Sequence, residues 1–269
     1  MTDLLVPLAA ALATVLVAGA LVWALSVRVR DTSIVDIFWG PFFLIQAVAY
    51  RLTTPDRGWE PRETLVLILV AIWATRLATH ISGRNAGKGE DYRYTEMRRK
   101  VGAGWWWQSL PRVFVVQGLL AWVIGMPLYA VMSGGPAGWT VLDGIGVGIW
   151  LIGFVFEALG DYQLTAFVRD PANKGRTMRS GLWSTTRHPN YFGDATQWWA
   201  LWLIAVAAGG WWSVFAPAVM TILLVRVSGM GMLERSIATR REGYADYMRT
   251  TAGFIPWLKL NRNRSTTHR

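Results

Sequence analysis

Several polar side chains stand inside apolar stretches of this chain at spacings that could do chemistry. Asp36 opens a stripe with Trp39, Phe43, Gln46 and Tyr50 that falls on one helical face. A carboxylate, an amide and aromatic rings on one face could line a pocket for a flat, mostly apolar substrate. Ordinary interhelical contacts would use the same residues. Arg76 and His80, four residues apart, share a face, as do Glu157 and Asp161. Ionisable groups inside a bilayer are costly and mark functional sites by default. Snorkelling or a helix–helix salt bridge could hold any one of them. Together with Asp194 they lie toward one end of their segments, with Asp143 near the other, so a shared polar cavity on the cytoplasmic side is expected.

The densest block is T-R-H-P-N-Y-F-G-D, residues 186–194. Pro189 imposes an extended turn before the next helix and leaves that helix's first N–H groups free for an anion. Asn190 and Asp194 then project from one face. Two basic loops stand nearby in sequence type. Residues 84–104 hold six Lys and Arg, two tyrosines and the acids Glu90, Asp91 and Glu96; residues 161–190 hold Arg169, Lys174, Arg176, Arg179 and Arg187. Planar Arg forks suit phosphate and pyrophosphate, which makes a cytosolic nucleotide cofactor a physical expectation. A polybasic patch for anionic lipid would give a similar count, but Glu90-Asp91 would weaken it. Further on stand Glu234, Arg240, Tyr244 and Tyr247, then Phe254-Ile255-Pro256-Trp257, which a surface amphipathic helix docking on the membrane would also explain.

The elements that must position these groups follow from composition. The 269 residues are 53% hydrophobic and 16% charged, with 17 tryptophans, three histidines and no cysteine. Soluble domains carry roughly 25% charged residues, so a cytosolic enzyme is excluded. Thiolate chemistry and Cys-ligated metal are excluded as well, and a multi-His metal site is not expected. The net charge of +10 reads as basic cytoplasmic loops rather than a nucleic-acid footprint. About 20 apolar residues cross a bilayer as a helix. Stretches 4–27, 32–50, 64–83, 109–132, 140–160, 191–208 and 212–230 predict an all-α, polytopic membrane protein of about seven spans, with 231–269 as a tail. With the N-terminus outside, 22 Lys and Arg fall in the inside segments, counting Arg226 at the end of the last span with the tail, and three in the outside loops. That asymmetry predicts N-out, C-in topology and cytosolic loops that cap a cofactor. Stretch 4–27 is read as a span and not a cleaved leader, because Met-Thr-Asp before it has no basic residue. The Trp clusters 105–107, 198–199 and 211–212 read as interfacial anchors and packing. Gly144-x-Gly146-x-Gly148 lies inside a span and reads as a helix-packing pattern, not a dinucleotide loop.

The R-H-P-N-Y-F-G-D block, the E-D-Y-R-Y block at 90–94 and the closing R-x-x-x-Y-x-x-Y…I-P segment, on seven spans, resemble bacterial membrane proteins grouped with the steroid 5-alpha-reductases, and more distantly with the sterol C14 reductases. The resemblance runs from about Asp31 to Pro256. Isoprenylcysteine carboxyl methyltransferases carry a similar R-H-P-x-Y-x-G segment. The resemblance implies a helical membrane fold, NADPH held by cytosolic loops, and a lipidic substrate entering between helices. By position it implies cofactor contacts at Asp161, Arg176, Asn190, Tyr191, Asp194 and Arg240, with Arg84 and Tyr244. Steroid reductases polarise the substrate carbonyl with a Glu on span two and a Tyr on span three. Here span two offers Asp36 and Gln46 but no Glu, and span three offers Trp73, Arg76 and His80 but no Tyr.

The leading expectation is an NADPH-dependent reductase of an activated C=C bond in a lipid, steroid-like or isoprenoid substrate in the bacterial cytoplasmic membrane. Asp36, or His80 oriented by a neighbour, would stabilise or protonate the developing enolate, with Gln46 in the pocket. The alternatives are an S-adenosylmethionine-dependent membrane methyltransferase, which needs less phosphate-binding capacity, and a non-enzymatic module binding lipid or a partner protein.

Overall fold

Long apolar runs without period-two alternation fold here as helices, because a helix satisfies every internal backbone group within one segment. The computed structural model describes residues 2–54, 58–135, 137–227, 234 and 241–257. No strand occurs among them; the only sheet-like pairing is one isolated bridge, Thr186 with Ala252. The helices are α1 (Thr2–Val29), α2 (Val35–Thr53), α3 (Pro61–Asn85), α4 (Tyr92–Val101), α5 (Trp105–Ser109), α6 (Val116–Ile124), α7 (Met126–Met132), α8 (Val141–Arg169), α9 (Pro189–Ala207), α10 (Phe215–Ile222) and α11 (Tyr244–Thr250).

Among the described residues, α1, α2 with the 3-10 turn before it, α3 and α8 are long and apolar enough to cross a membrane. A fifth crossing results if Tyr92–Ile124 and Met126–Met132, bent by 50°, act as one span. The expected span 109–132 is therefore not a straight helix. It passes through a π-helical stretch, Leu110–Val115, and breaks at Gly125. The break has two local causes. Pro127 has no N–H to continue the ladder, and a Cβ on Gly125 would lie 2.5 Å from Gln46 Nε2. The expected spans 191–208 and 212–230 correspond to α9 and to a shorter apolar stretch, Trp211–Arg226; residues 228–230 lie outside the description.

The chain folds as two compact units, residues 1–150 with 198–220 and residues 151–197 with 221–269, the division falling within α8 and α9. In the first unit α2 lies between α1 and α3. Gly40 lets α2 approach α3 so closely that a Cβ there would meet Ala74 Cα at 2.8 Å. Phe43, Trp73 and Trp198 fill the core as an edge-on aromatic cluster. Two buried ion pairs, Arg51–Glu63 at 2.9 Å and Arg62–Asp143 at 2.7 Å, tie the starts of α3 and α8 into this unit.

In the second unit the N-terminal turns of α9 cross α8 at Gly153 and Gly193. A Cβ on Gly193 would stand 2.4 Å from Glu157 N and from the Gly153 carbonyl, so only small residues permit this contact. The 170–188 connection folds against 241–257. Arg187 donates to the carbonyls of Met248 and Thr251, the Tyr247 hydroxyl to the carbonyl of Trp183, and Trp257 N–H to the Thr185 carbonyl. Tail and connection thus form one structure.

Candidate functional site

Two polar clusters emerge, one in each unit. In the first unit Asp31 caps the 3-10 turn Thr32–Ile34, and α2 starts directly after it, which sets Asp36 in its first turn. The connection after α3 returns through glycines 87 and 89, both with positive φ, to Asp91, which caps α4 by accepting from Arg93 N–H. This turn carries Tyr94 to α2. The Tyr94 hydroxyl donates to Asp36 Oδ1 at 2.6 Å, and Arg93 Nη2 donates to Asp36 Oδ2 at 2.7 Å. Gln117 Nε2 donates to the Tyr94 oxygen at 3.2 Å, leaving its own buried Oε1 without a hydrogen-bond partner. The phenol is buried, whereas Arg93 keeps 38% of its side-chain surface exposed. Asp91 also receives Arg93 Nε. Burial alone would raise the Asp91 carboxyl, but the bonds from Arg93 outweigh it and hold the group below the usual carboxylate range.

Beside this cluster, Arg98 grips Glu90 through Nε and Nη2, at 2.9 and 2.8 Å, and Thr32 N–H donates to the same carboxylate. Burial raises Glu90, and these bonds more than reverse it. The E-D-Y-R-Y block therefore acts as a clip that binds α2 through Arg93 and Tyr94 and the turn before it through Glu90.

In the second unit the cluster forms where the R-H-P-N-Y block meets the tail. His188 Nε2 and Glu234 Oε1 are 2.9 Å apart, and Arg187 Nε donates to the same oxygen at 2.8 Å. The His188 ring stacks on Tyr191 at 5.4 Å between centroids, 13° from parallel. Burial raises the Glu234 carboxyl, but hydrogen bonds from His188 and Arg187 win and hold it low. Burial, with Glu234 nearby, pushes the Tyr244 phenol up to about 12. In the first turn of α9, Asn190 Nδ2 donates to Asp161 Oδ1 at 2.9 Å. Two turns on, Gln197 Nε2 donates to Glu157 at 2.7 Å, and its buried Oε1 has no hydrogen-bond partner among the described residues.

Of the residues singled out from the sequence, Asp36 sits at the centre of the first cluster. Gln46 does not join it. Ten residues along α2, roughly 15 Å away at 1.5 Å per residue, Gln46 is fully buried and donates to the Ala121 carbonyl at 2.9 Å. His80 and Arg76 are half-buried on α3. Arg84 belongs to the first unit, is exposed and donates to its neighbour Asn85. The second unit brings Asp161, Asn190, Tyr191 and Asp194 to the facing turns of α8 and α9, with Asp161 and Asp194 buried. Arg176 is exposed on the connection, and Tyr244 is buried at the start of α11. Arg240 lies outside the described residues. Sequence reasoning gave no role to Tyr94, Gln117, His188 or Glu234. Tyr94 was visible within E-D-Y-R-Y, but its contact spans 58 residues, which no periodicity reports.

Among the described residues no group of three or more His, Asp or Glu could hold a metal ion. Arg187 is bound to Glu234 and Arg179 to Asp246, whereas Arg169, Lys174 and Arg176 are exposed with no side-chain bond among the described residues. Those cations remain available to phosphate.

Residues 22–251 match the family described as "Protein of unknown function (DUF1295)". An uncharacterized protein of Schizosaccharomyces pombe is 24% identical over 233 residues, covering 74% of this chain and 65% of the relative. The chain thus spans just under two thirds of that curated relative. No solved structure matches.

Proposed function

The chain belongs to the DUF1295 family, and from that premise we propose that it is an NADPH-dependent membrane reductase of an activated C=C bond in a lipidic substrate. The observation that carries the reading is the Tyr94 phenol bound to Asp36 at 2.6 Å, with Arg93 on the same carboxylate. It offers the hydroxyl donor that the resemblance to steroid 5-alpha-reductases calls for. It stands on the helix after span three rather than on it.

NADPH would supply a hydride to the carbon beta to the carbonyl. Tyr94, turning its O–H from Asp36 to the carbonyl oxygen, would stabilise the enolate charge, as a preorganised donor does in a site shielded from water. Gln117 holds the phenol oxygen from the other side, and Arg93 holds the Asp36 side chain in place at 2.7 Å. A proton from solvent would complete the saturation at the alpha carbon, the Tyr94 phenol keeping its own proton. In the second unit, Asn190 with Asp161 would bind the polar parts of the cofactor, and Arg176 and Lys174 its phosphates.

Seven crossings, N-out and C-in, in a bacterial cytoplasmic membrane complete the proposal. The 22-to-3 distribution of Lys and Arg supports them. Thermal melting of the detergent-purified chain tests the cofactor class, because a ligand that binds only the native state raises the melting temperature by mass action. NADPH is expected to raise it and S-adenosylmethionine to leave it unchanged. The opposite result favours a methyltransferase, and no shift with either leaves a non-enzymatic module. NADPH oxidation with enone lipids then tests the reaction.

A further inference from the structure

A cavity of about 360 Å³ opens at the C-terminal end of α1, within the first unit and outside both clusters. Its floor is polar and buried: Ser26, Thr32 and Ser109, with the Trp105 indole donating to Thr32 Oγ1 at 3.0 Å. Its rim carries Arg30, Arg98 and the exposed ring of Trp106. The volume lies within the range of small-ligand sites.

The backbone at Arg30 marks this cavity further. Asp31 N–H bonds back to the Ser26 carbonyl at 3.0 Å, closing α1 with Arg30 at φ 57°. Helix closures of this kind normally place glycine at that position. A long basic side chain held in the left-handed region carries strain, and such strain gathers where a side chain has work to do. The Arg30 guanidinium makes no hydrogen bond or ion pair among the described residues. Arg98 spends Nε on Glu90 and Nη2 on Glu90 and the Arg30 carbonyl, which leaves Nη1. The nearby acids are committed: Glu90 to Arg98 and Thr32, Asp31 to Ser33.

The apolar approach to the cavity has a direction. Val17, Leu21, Leu25 and Val29 repeat every four residues on α1 and are all exposed, a stripe that ends beside Arg30. Trp106 and Trp107 stand exposed at the same end, and Trp23 Nε1 donates to the Trp106 carbonyl at 2.9 Å, as aromatic side chains do at a membrane interface. An acyl chain laid along the stripe would bring a head group to the cavity mouth.

We propose that this cavity binds the phosphate of an anionic phospholipid, with Arg30 as its main contact, the Arg98 edge as its second, and the acyl chains along the exposed face of α1. The site is independent of the reductase reading and stands or falls without it.

Native mass spectrometry of the full chain in detergent, with equal amounts of dioleoyl phosphatidylglycerol and dioleoyl phosphatidylcholine, tests it. The wild type is expected to retain phosphatidylglycerol preferentially. One cation near a membrane surface contributes about 1 kcal/mol, or about fivefold in occupancy, so Arg30→Gln should reduce the preference by about that factor. Arg30→Gly removes the charge while suiting the left-handed backbone. It should lower the preference by the same factor with its melting temperature held or raised, which separates binding from folding. Arg28→Gln removes a cation from the same helix end without touching the cavity and should keep the preference. The proposal is overturned if Arg30→Gly retains the lipid as the wild type does, or if Arg28→Gln loses it equally, which would mean a diffuse basic surface. It is overturned too if inorganic phosphate at millimolar concentration displaces the lipid, since the cavity would then read a free anion.

Discussion

The two polar clusters are built on opposite plans. In and beside the first cluster the charges are matched: Asp36 with Arg93 and Tyr94, Glu90 with Arg98 and Thr32, and Asp91 with Arg93. Its pieces are helix ends held by a cap and two glycine turns. In the second unit Arg187, His188 and Glu234 form a matched core, while Arg169, Lys174 and Arg176 are exposed with no side-chain partner among the described residues. The first plan suits a site that must orient one hydroxyl and tolerate no drift. The second suits a site whose charge is completed by a polyanion. A paired guanidinium has little left for phosphate, whereas an unpaired one gains charge-assisted hydrogen bonds when phosphate arrives. Under the proposed reductase reading, substrate polarisation falls to the first unit and cofactor holding to the second.

The largest expected effect comes from the phenol. Tyr94→Phe keeps the ring and removes the donor, so turnover with an enone lipid should fall by roughly 10²–10³-fold, the cost of deleting one oxyanion donor. The NADPH-induced rise in melting temperature should survive. Steady-state kinetics should put the loss in kcat rather than KM. Loss of NADPH binding in this variant would break the division of labour between the units.

Next stands the pin between connection and tail. Glu234→Ala leaves Arg187 and His188 without their shared anion in a part-buried site, and breaking such a pair costs about 2–4 kcal/mol. The readout is faster proteolysis within 241–257, along with a lower melting temperature. The same contact sets a pH dependence. Because Glu234 is held below its ordinary value in the folded chain, its contribution is complete above the unfolded carboxylate range and is lost as pH falls through the lowered value. Glu234→Gln should flatten that acid limb of the melting curve.

Asn190→Ala probes the cofactor side directly. It removes the donor to Asp161, and a nucleotide that relies on this pair should bind about 1–3 kcal/mol more weakly if a buried partner is left unsatisfied. Isothermal titration with NADPH measures it. An unchanged affinity would move the cofactor away from the α8–α9 turns.

Much of the fold was legible because bilayer-length apolar runs have few other solutions. The stretches 4–27, 64–83 and 191–208 lie within or one residue beyond α1, α3 and α9. The break in 109–132 was harder to see. Gly125 and Pro127 stand out in sequence, but the reason the chain bends at that point includes Gln46 from a helix about 80 residues earlier. The site divided in the same way. Asp36, Asp161 and Asn190 could be found because a polar group in an apolar helix is costly wherever its partner lies. Tyr94 and Glu234 sit in polar segments where such residues are commonplace, and only the folded contact separates them from their neighbours.

Gln46 supplies the smallest effect and the sharpest contrast with Asp36 on the same helix. Its stripe position made it a candidate for the substrate pocket, yet its amide bonds the Ala121 carbonyl beside the Gly125 bend. That carbonyl also accepts the Gly125 N–H at 2.8 Å, so removing the amide does not orphan it. Gln46→Leu keeps similar bulk in the core and should cost about 1–2 kcal/mol, the net worth of this bond and of the longer one, 3.5 Å, that its Oε1 accepts from the Tyr50 hydroxyl. Turnover and NADPH affinity should stay at the wild-type level while the melting temperature falls slightly. Should turnover instead drop as far as in Tyr94→Phe, the substrate pocket would have to extend along α2 to the bend, and the bent α6–α7 segment would become part of its wall.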